Sequence, residues 1–507
     1  MKIESIVEEI DEWGEKEPER VVYRSATEDY TFGQLKTYSD ALAHALATQL
    51  APKEPILVFG ELEFEMLVAF LAASKSGRAY IPIEASTPIE RIQMILTVAK
   101  PGMIVCTKTW PELLDTDIPI LSLDEMLPLC EQKGTDIGKL HPVQKNEDYY
   151  IIFTSGTTGL PKGVQISHTN LASYVQWQLS DFPIKTGMRF LSQAPYSFDL
   201  SVMSIYPALV SGGSLVPLEK KVVNEFKQLF AQLLNLAVDV WVSTPSFMDI
   251  CLLEPTFDEQ HVPSIQLFLF CGEELPKKTA KQLLERFPNA HLYNTYGPTE
   301  ATVAVSAIEV TPDVLTEYER IPIGYIKEDT EVWIMREGTA VASGESGEIV
   351  LSGPSISKGY LNNPSKTKEA FATLDNQWVY HTGDTGRLLK NGRLLYEGRI
   401  DFQVKLHGYR IEVEEIEHHL NQLSLVNQAM VVPRYQGDKV TQLIAYVVSE
   451  KNQDTRASEL SKKIRAALEG TIMHYMIPQR FIYVEQLPLT VNGKIDRKAL
   501  IHEVNGS

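Results

Sequence analysis

Lys162 stands behind a run of small and hydroxylic residues, Thr154, Ser155, Gly156, Thr157, Thr158 and Gly159, with Leu160-Pro161 between and Gly163 after it. Backbone N–H groups, hydroxyls and one ammonium crowded into so short a stretch are the parts that hold a polyphosphate. The glycines let the main chain approach an anion closely and are expected at positive φ. A Walker A loop has Gly-x4-Gly-Lys-Ser/Thr; Pro161 and Gly163 flank this lysine instead, so the loop is of another kind. Most Gly/Ser/Thr clusters are plain polar connections, and that reading stands until other parts of the chain are weighed.

Further groups with chemical potential lie downstream. Tyr293-Asn-Thr-Tyr-Gly-Pro-Thr-Glu300 holds a Gly-Pro turn, an aromatic and an acid. Alone it reads equally well as a strand-to-loop junction. As a nucleotide site, Tyr296 offers a face to a purine, and Asn294 with the nearby backbone of Thr295, Gly297 and Pro298 can read the adenine edge. Thr299 can donate to a phosphate, and Glu300 is a hard oxygen ligand for magnesium on ATP. His381-Thr-Gly-Asp384 places a carboxylate at an expected turn, where it is ordinarily a turn or cap residue but can also take hydrogen bonds from ribose hydroxyls. Tyr396, Glu397, Gly398 and Arg399 follow, the guanidinium suited to ribose or α-phosphate. Asp199 is either a structural turn residue or, aimed into a pocket, a carboxylate that demands a cationic partner. Cys271, in Phe270-Cys-Gly-Glu-Glu-Leu-Pro276, is by type a small buried hydrophobe. Lys494, just past the Asn492-Gly493 turn signal, is by type a solvated surface charge.

In this order the motifs resemble those of the adenylate-forming ligases: acyl-CoA synthetases, luciferases and the amino-acid-adenylating domains of peptide synthetases. The resemblance covers essentially the whole chain. It implies ATP and Mg2+, the nucleotide held by the residues from 154 to 162, from 294 to 299, by Asp384 and by residues 396–399, with Glu300 on the metal. Lys162 and Lys494 are implied as catalytic. Lys494 would reach both the substrate carboxylate and the α-phosphate, aligning attack and neutralising developing charge. Asp401, in Gly398-Arg-Ile-Asp-Phe-Gln-Val-Lys405, is implied as a hinge, with a plain linker as the alternative. Where relatives often carry Arg or Lys before the glycine matching Gly408, this chain has His407.

The resemblance also implies a cargo. Asp199 matches the aspartate that pairs with a substrate α-ammonium in the amino-acid-adenylating branch. Cys271 replaces the first glycine of the family's Gly-Gly-Glu-x-Leu, where its sulfur would block an L side chain. Val303 is implied as a pocket wall, with Lys494 at the substrate carboxylate. The implied substrate is D-alanine, converted to D-alanyl-AMP and pyrophosphate and then passed to the phosphopantetheine thiol of a separate carrier protein, toward D-alanylation of lipoteichoic acid. Steric discrimination by one methyl is worth only about 1–3 kcal/mol, so selectivity is expected to be finite. Rival readings are a free-standing activator of an L-amino acid or a small acyl acid, a luciferase-like oxygenase, and a non-catalytic ATP or adenylate sensor. Asp199 argues against the oxygenase, and Lys162, Glu300 and Lys494 together against the sensor.

The elements that must position these groups follow from patterning. Residues 1–150 and 187–297 alternate helix and strand, which predicts two lobes of helices on largely parallel sheets. Short strands and turns from about 303 to 400 predict a small antiparallel sheet or barrel, and residues 402–507 a small α+β domain. The expected fold is α/β: an N-terminal domain, 1–400, of two α/β lobes and an antiparallel β subdomain, followed by a mobile α+β C-terminal domain, 401–507. The 507 residues carry a net charge of −19, while residues 402–507 hold 13 basic against 12 acidic side chains. That acidity argues against general nucleic-acid binding. Four scattered cysteines suit a reducing compartment and suggest no zinc site. The acidic amphipathic start is unlike a signal peptide, and no apolar run reaches the roughly 18 residues of a membrane span. A cytoplasmic monomer without membrane insertion is expected. Lys462, Lys463 and Arg465 read as a solvated helix face, with an acidic carrier as the sharper alternative.

Overall fold

The computed structural model describes residues 3–132, 140–156, 159–437, 439–449, 456–489 and 495–506. Thr157, Thr158 and Lys494 lie outside the described residues.

Strands that are apolar on both faces form the centres of two sheets, as expected for parallel strands sandwiched by helices. In the first, the order is Ile120–Leu121, Met103–Cys106, Ile56–Gly60, Tyr80–Glu84, Asp148–Thr154 and Lys162–Ser167. The pairs along it from Ile120–Leu121 to Asp148–Thr154 are parallel. Helix Phe64–Lys75, buried at all but one position, links two of these strands; a helix apolar all round belongs in a core. The second sheet has 15 strands. Its middle, Ser214–Pro217, Arg189–Ser192, Val240–Ser243, Leu267–Phe270 and His291–Tyr296, is parallel. From Ser306–Glu309 onward it turns antiparallel through Gly324–Ile326, Arg393–Arg399, Gln377–Leu388, Gly347–Ser352 and Glu331–Arg336. The expected antiparallel part is present, and it continues the second lobe's sheet edge to edge. At the other edge sit Val21–Arg24 and Asp29–Thr31, a pair that the rhythm of residues 1–150 did not reveal.

Local signals set several boundaries. Ser167 caps helix His168–Asp181 through a reciprocal box with Asn170. His381-Thr-Gly-Asp384 is not a turn between elements. It lies within the twelve-residue strand Gln377–Leu388. The pairing of Gly347–Ser352 jumps from Thr385 to His381, and Gly383 has φ +69°, so the glycine serves a bulge inside the strand.

Contacts divide the chain into two units: Met1–Ala85, Ala99–Ile152 and Gly163–Ile400 form one, and Ser86–Val98, Phe153–Lys162 and Asp401–Ser507 the other. The second unit contains a sheet in which Val426–Gln436 runs antiparallel to Lys439–Ser449, itself parallel to Arg480–Tyr483. Ile416, Leu420, Val431, Ala445 and Ile464 belong to its core. The Gly/Ser/Thr-rich loop before Lys162 belongs to this unit.

Candidate active site

In the first unit, the segment after Tyr296 doubles back tightly. A Cβ on Gly297 would lie 2.5 Å from Ala304 Cα, so only glycine fits. Thr302 and Val303 follow with φ +57° and +70°. Left-handed backbone at two successive β-branched residues stores on the order of 1–3 kcal/mol each. Hydrogen bonds hold the strained turn: Thr302 Oγ1 donates to the Ser355 carbonyl at 2.7 Å, and Val305 N donates to the Tyr296 carbonyl at 2.8 Å.

This turn brings together Asp199, Cys271 and Val303, three residues expected at the substrate, with Thr299, expected at a phosphate. Thr299 Oγ1 donates to Asp199 Oδ2 at 2.6 Å, with Asp199 buried at the head of a short helical turn. The Thr299 hydroxyl is thus directed to Asp199 rather than left for a phosphate. The carbonyl of Val303 accepts from Cys271 Sγ at 3.6 Å. Cys271 and Val303 are 3% and 1% exposed, so the thiol is fixed against the strained turn. Glu300 is fully buried, and Tyr360 donates its phenol proton to Glu300 Oε1 at 2.7 Å. Tyr150 and Tyr174, both fully buried, carry hydroxyls without hydrogen-bond partners in this core.

A nucleotide-type cluster lies beside it on neighbouring strands. Tyr296 Oη donates to Asp384 Oδ2 at 2.5 Å, and Arg399 Nη1 pairs with Asp384 Oδ1 at 2.7 Å. Burial and the Asp384 carboxylate hold the Tyr296 phenol well above its usual range, so it remains a donor. The rings of Tyr296 and Tyr396 lie 6.2 Å apart. In a regular strand Tyr396 and Arg399 would face opposite sides. Here Thr385 pairs with Gly398 but Gly386 with Tyr396, which leaves Glu397 as an extra residue. The bulge restores parity and turns Tyr396 and Arg399 to the side of Asp384. Glu397 itself is turned to Arg387 and Ser346. The Asn294 side-chain amide donates to the Pro322 carbonyl at 2.8 Å, and the Thr295 hydroxyl to the Phe270 carbonyl at 2.8 Å. Their backbone, not those donor groups, is what remains for an adenine.

The second unit holds the loop. Of its glycines only Gly159 has positive φ, +79°. Gly156 is required for a different reason: a Cβ there would lie 2.1 Å from the Leu160 carbonyl oxygen. Lys162 begins a strand and pairs with Glu412 Oε1 at 3.0 Å. The Gly156 N–H donates to Glu415 Oε2 at 2.7 Å, and Ser155 Oγ donates to the Arg410 carbonyl at 2.9 Å. Thr154 Oγ1 lies 3.5 Å from the Lys162 carbonyl. Residue type alone marked neither Glu412 nor Glu415 as a partner of the loop, since both stand among the ordinary acidic residues of a helix start. His407 and Gly408 form the two-residue turn between Val404–Leu406 and Tyr409–Ile411 with φ +53° and +85°, a primed turn for which an exposed His407 is unusual.

Among the described residues no group of three or more His, Cys, Asp or Glu side chains is placed to hold a metal ion. A lone carboxylate such as Glu300 fits Mg2+ that arrives on a nucleotide, because magnesium is commonly held by one or two carboxylates plus phosphates.

A nucleotide-type cluster where the second sheet passes from parallel to antiparallel, a tight turn after Tyr296 and a small α+β tail are the anatomy of an adenylate-forming enzyme. The profile of the AMP-binding enzyme family matches residues 10–361, and that of the AMP-binding enzyme C-terminal domain residues 415–494. The chain belongs to the AMP-binding enzyme family. It is 51% identical over 507 residues to the D-alanine–D-alanyl carrier protein ligase of Lactiplantibacillus plantarum, covering 99% of both chains. It is 47% identical to the ligase of the same name from Listeria welshimeri, again over 99% of both. Among solved structures, an NRPS protein containing adenylation and PCP domains superposes with a TM-score of 0.83 at 27% identity, over 98% of this chain and 84% of that one. The adenylation domain AlmE of Vibrio cholerae, in complex with glycyl-adenosine-5'-phosphate, gives 0.81 at 24% identity over 99% and 97%, a likeness of fold. No helix among the described residues is long and apolar enough to cross a membrane.

Proposed function

We propose that this enzyme activates D-alanine with ATP and transfers it to a D-alanyl carrier protein, as the names of its curated relatives describe for them. The observation that carries the cargo is the single turn that touches both Asp199 and Cys271, through Thr299 and Val303. A buried carboxylate requires a cation or strong donors. Thr299 supplies one donor, and a substrate α-ammonium supplies the charge. Cys271, fixed by its bond to Val303, sets the wall against which an L methyl would press. Asp384, held from both sides by Tyr296 and Arg399, keeps its remaining lone pairs for ribose hydroxyls.

ATP, when bound, supplies the α-phosphorus that the D-alanine carboxylate attacks, and pyrophosphate leaves. Lys162 and the loop N–H groups bind its phosphates, while Glu300, oriented by Tyr360, holds Mg2+. Lys494 brings a cation to the attacking carboxylate and the α-phosphate. Asp401 is the hinge between this step and thioester formation on a phosphopantetheine thiol; the division of contacts between Ile400 and Asp401 supports that reading. The product thioester would feed D-alanylation of lipoteichoic acid, in a cytoplasmic, monomeric enzyme.

The test is amino-acid-dependent pyrophosphate exchange across paired D and L amino acids. Exchange is expected to be fastest with D-alanine. Equal exchange with L-alanine removes the stereochemical part of the proposal, and exchange only with a different acid removes the cargo.

A further inference from the structure

The phosphate loop is not an open cradle. Its donors already bind anions and dipoles of its own unit. Glu415, fully buried, accepts from the Gly156 N–H through Oε2 at 2.7 Å and from Arg91 Nη1 through Oε1 at 2.6 Å. Glu412 Oε1 accepts from Lys162 Nζ at 3.0 Å and from Gln403 Nε2 at 2.8 Å. The Glu412 N–H donates to Ser155 Oγ at 3.1 Å, and that hydroxyl donates to the Arg410 carbonyl. So a backbone N–H, a hydroxyl and the lysine, each a donor suited to phosphate, are engaged at once. The fit is close: a Cβ on Gly159 would lie 2.5 Å from His418 Cδ2.

A carboxylate and a phosphate oxygen make the same demand on these groups: negative charge and lone pairs in line with N–H bonds. We infer that Glu412 and Glu415 occupy the phosphate loop as stand-ins for the oxygens of a nucleotide polyphosphate or pyrophosphate, so that binding either one is an exchange with carboxylates of the same chain. This rests on the reading that the loop binds polyphosphate. The exchange has a direction in the catalytic cycle. Incoming MgATP must release both glutamates from the loop, and departing pyrophosphate lets them return. Residues 408–420 are therefore held by the loop when it lacks phosphate and freed when it has it. Lys162 then exchanges one anion for another and is not left as a buried cation without a partner.

The experiment is calorimetric titration of MgATP, and separately of inorganic pyrophosphate, into the full chain without amino acid, for the wild type, Glu412→Gln and Glu415→Gln. A neutral amide competes less well for these donors, so each variant is expected to bind both probes about tenfold more tightly. Equal or weaker binding overturns the exchange. Because Glu415→Gln leaves Arg91 buried without its carboxylate, its circular dichroism and Tm are compared with the wild type's, and where it is unfolded Glu412→Gln alone decides. Hydrogen–deuterium exchange over residues 408–420 is expected to rise when MgATP is added, and unchanged or slower exchange overturns the proposal. A wild type that binds neither probe overturns the polyphosphate reading itself; a wild type that binds, with no gain in the variants, overturns only the exchange.

Discussion

The cluster around Asp384 and the loop around Gly156 satisfy buried charge in opposite ways. At Asp384 the buried group is an anion, and a phenol and a guanidinium orient it without exhausting its lone pairs. At the loop the built-in groups are donors, and two glutamates fill them. The first arrangement is preorganised for hydroxyls and needs little change to bind. The second must lose its own anions before it can accept a ligand's.

The largest expected effect tests whether either arrangement reaches the chemistry. Lys494→Ala should slow adenylation by about two to four orders of magnitude, roughly 3–5 kcal/mol, while sparing thioester formation from preformed adenylate. Comparable loss in both half-reactions, measured by single turnover, would count against the two-pose hinge at Asp401. Next, Asp199→Ala should raise KM for D-alanine about a hundredfold, on the scale of a lost charge-assisted contact, with little change for ATP. Parallel changes in both constants would show that Asp199 only braces Thr299.

Tyr296→Phe sharpens the comparison most directly. It removes the phenol donor that holds Asp384 opposite Arg399 and should raise KM for ATP about tenfold, whereas Glu412→Gln should lower Kd for MgATP. If both variants weaken nucleotide binding, the two regions do not differ as described. Cys271→Ala should raise kcat/KM for L-alanine by about tenfold, within the limits of discrimination by one methyl. No change would leave Cys271 as packing.

The smallest effects are in pH dependence, and they run in opposite directions. His168 is buried, its Nε2 accepts from Ile6 N at 3.1 Å, and burial lowers its pKa below the ordinary histidine value. Stability from this contact is present above about pH 6.5 and is lost as pH falls through the lowered folded value. His381 is hydrogen-bonded by Glu348 at 3.0 Å, which raises its pKa. Its contribution is present below about pH 6.5 and is lost as pH rises through the raised folded value. Glu348→Gln should flatten the alkaline side of a Tm–pH curve by about 1–2 °C, and His168→Gln the acid side by a similar amount. Unchanged slopes would remove these assignments.

Much of the architecture was legible in the chain because it depends on local pattern. Runs such as residues 240–242 and Leu267–Phe270 are apolar because parallel strands are buried on both faces, and Lys277–Arg286 carries helical spacing. Residue types also marked Asp199, Tyr296 and Asp384 as groups able to do chemistry, while Cys271 was singled out by the resemblance to a family motif. What sequence could not supply was anything set by pairing between distant segments. The bulge at Glu397 decides which side Arg399 faces, yet it arises from register against Gln377–Leu388. The left-handed pair Thr302–Val303 contradicts local preference and persists because Ser355 and Tyr296 hold it. The carboxylates in the phosphate loop come from about 250 residues further along the chain. Composition and periodicity determined the elements and the chemical repertoire; tertiary structure alone decided which anion meets which donor, since a hydrogen bond depends on position in space and not on distance along the chain.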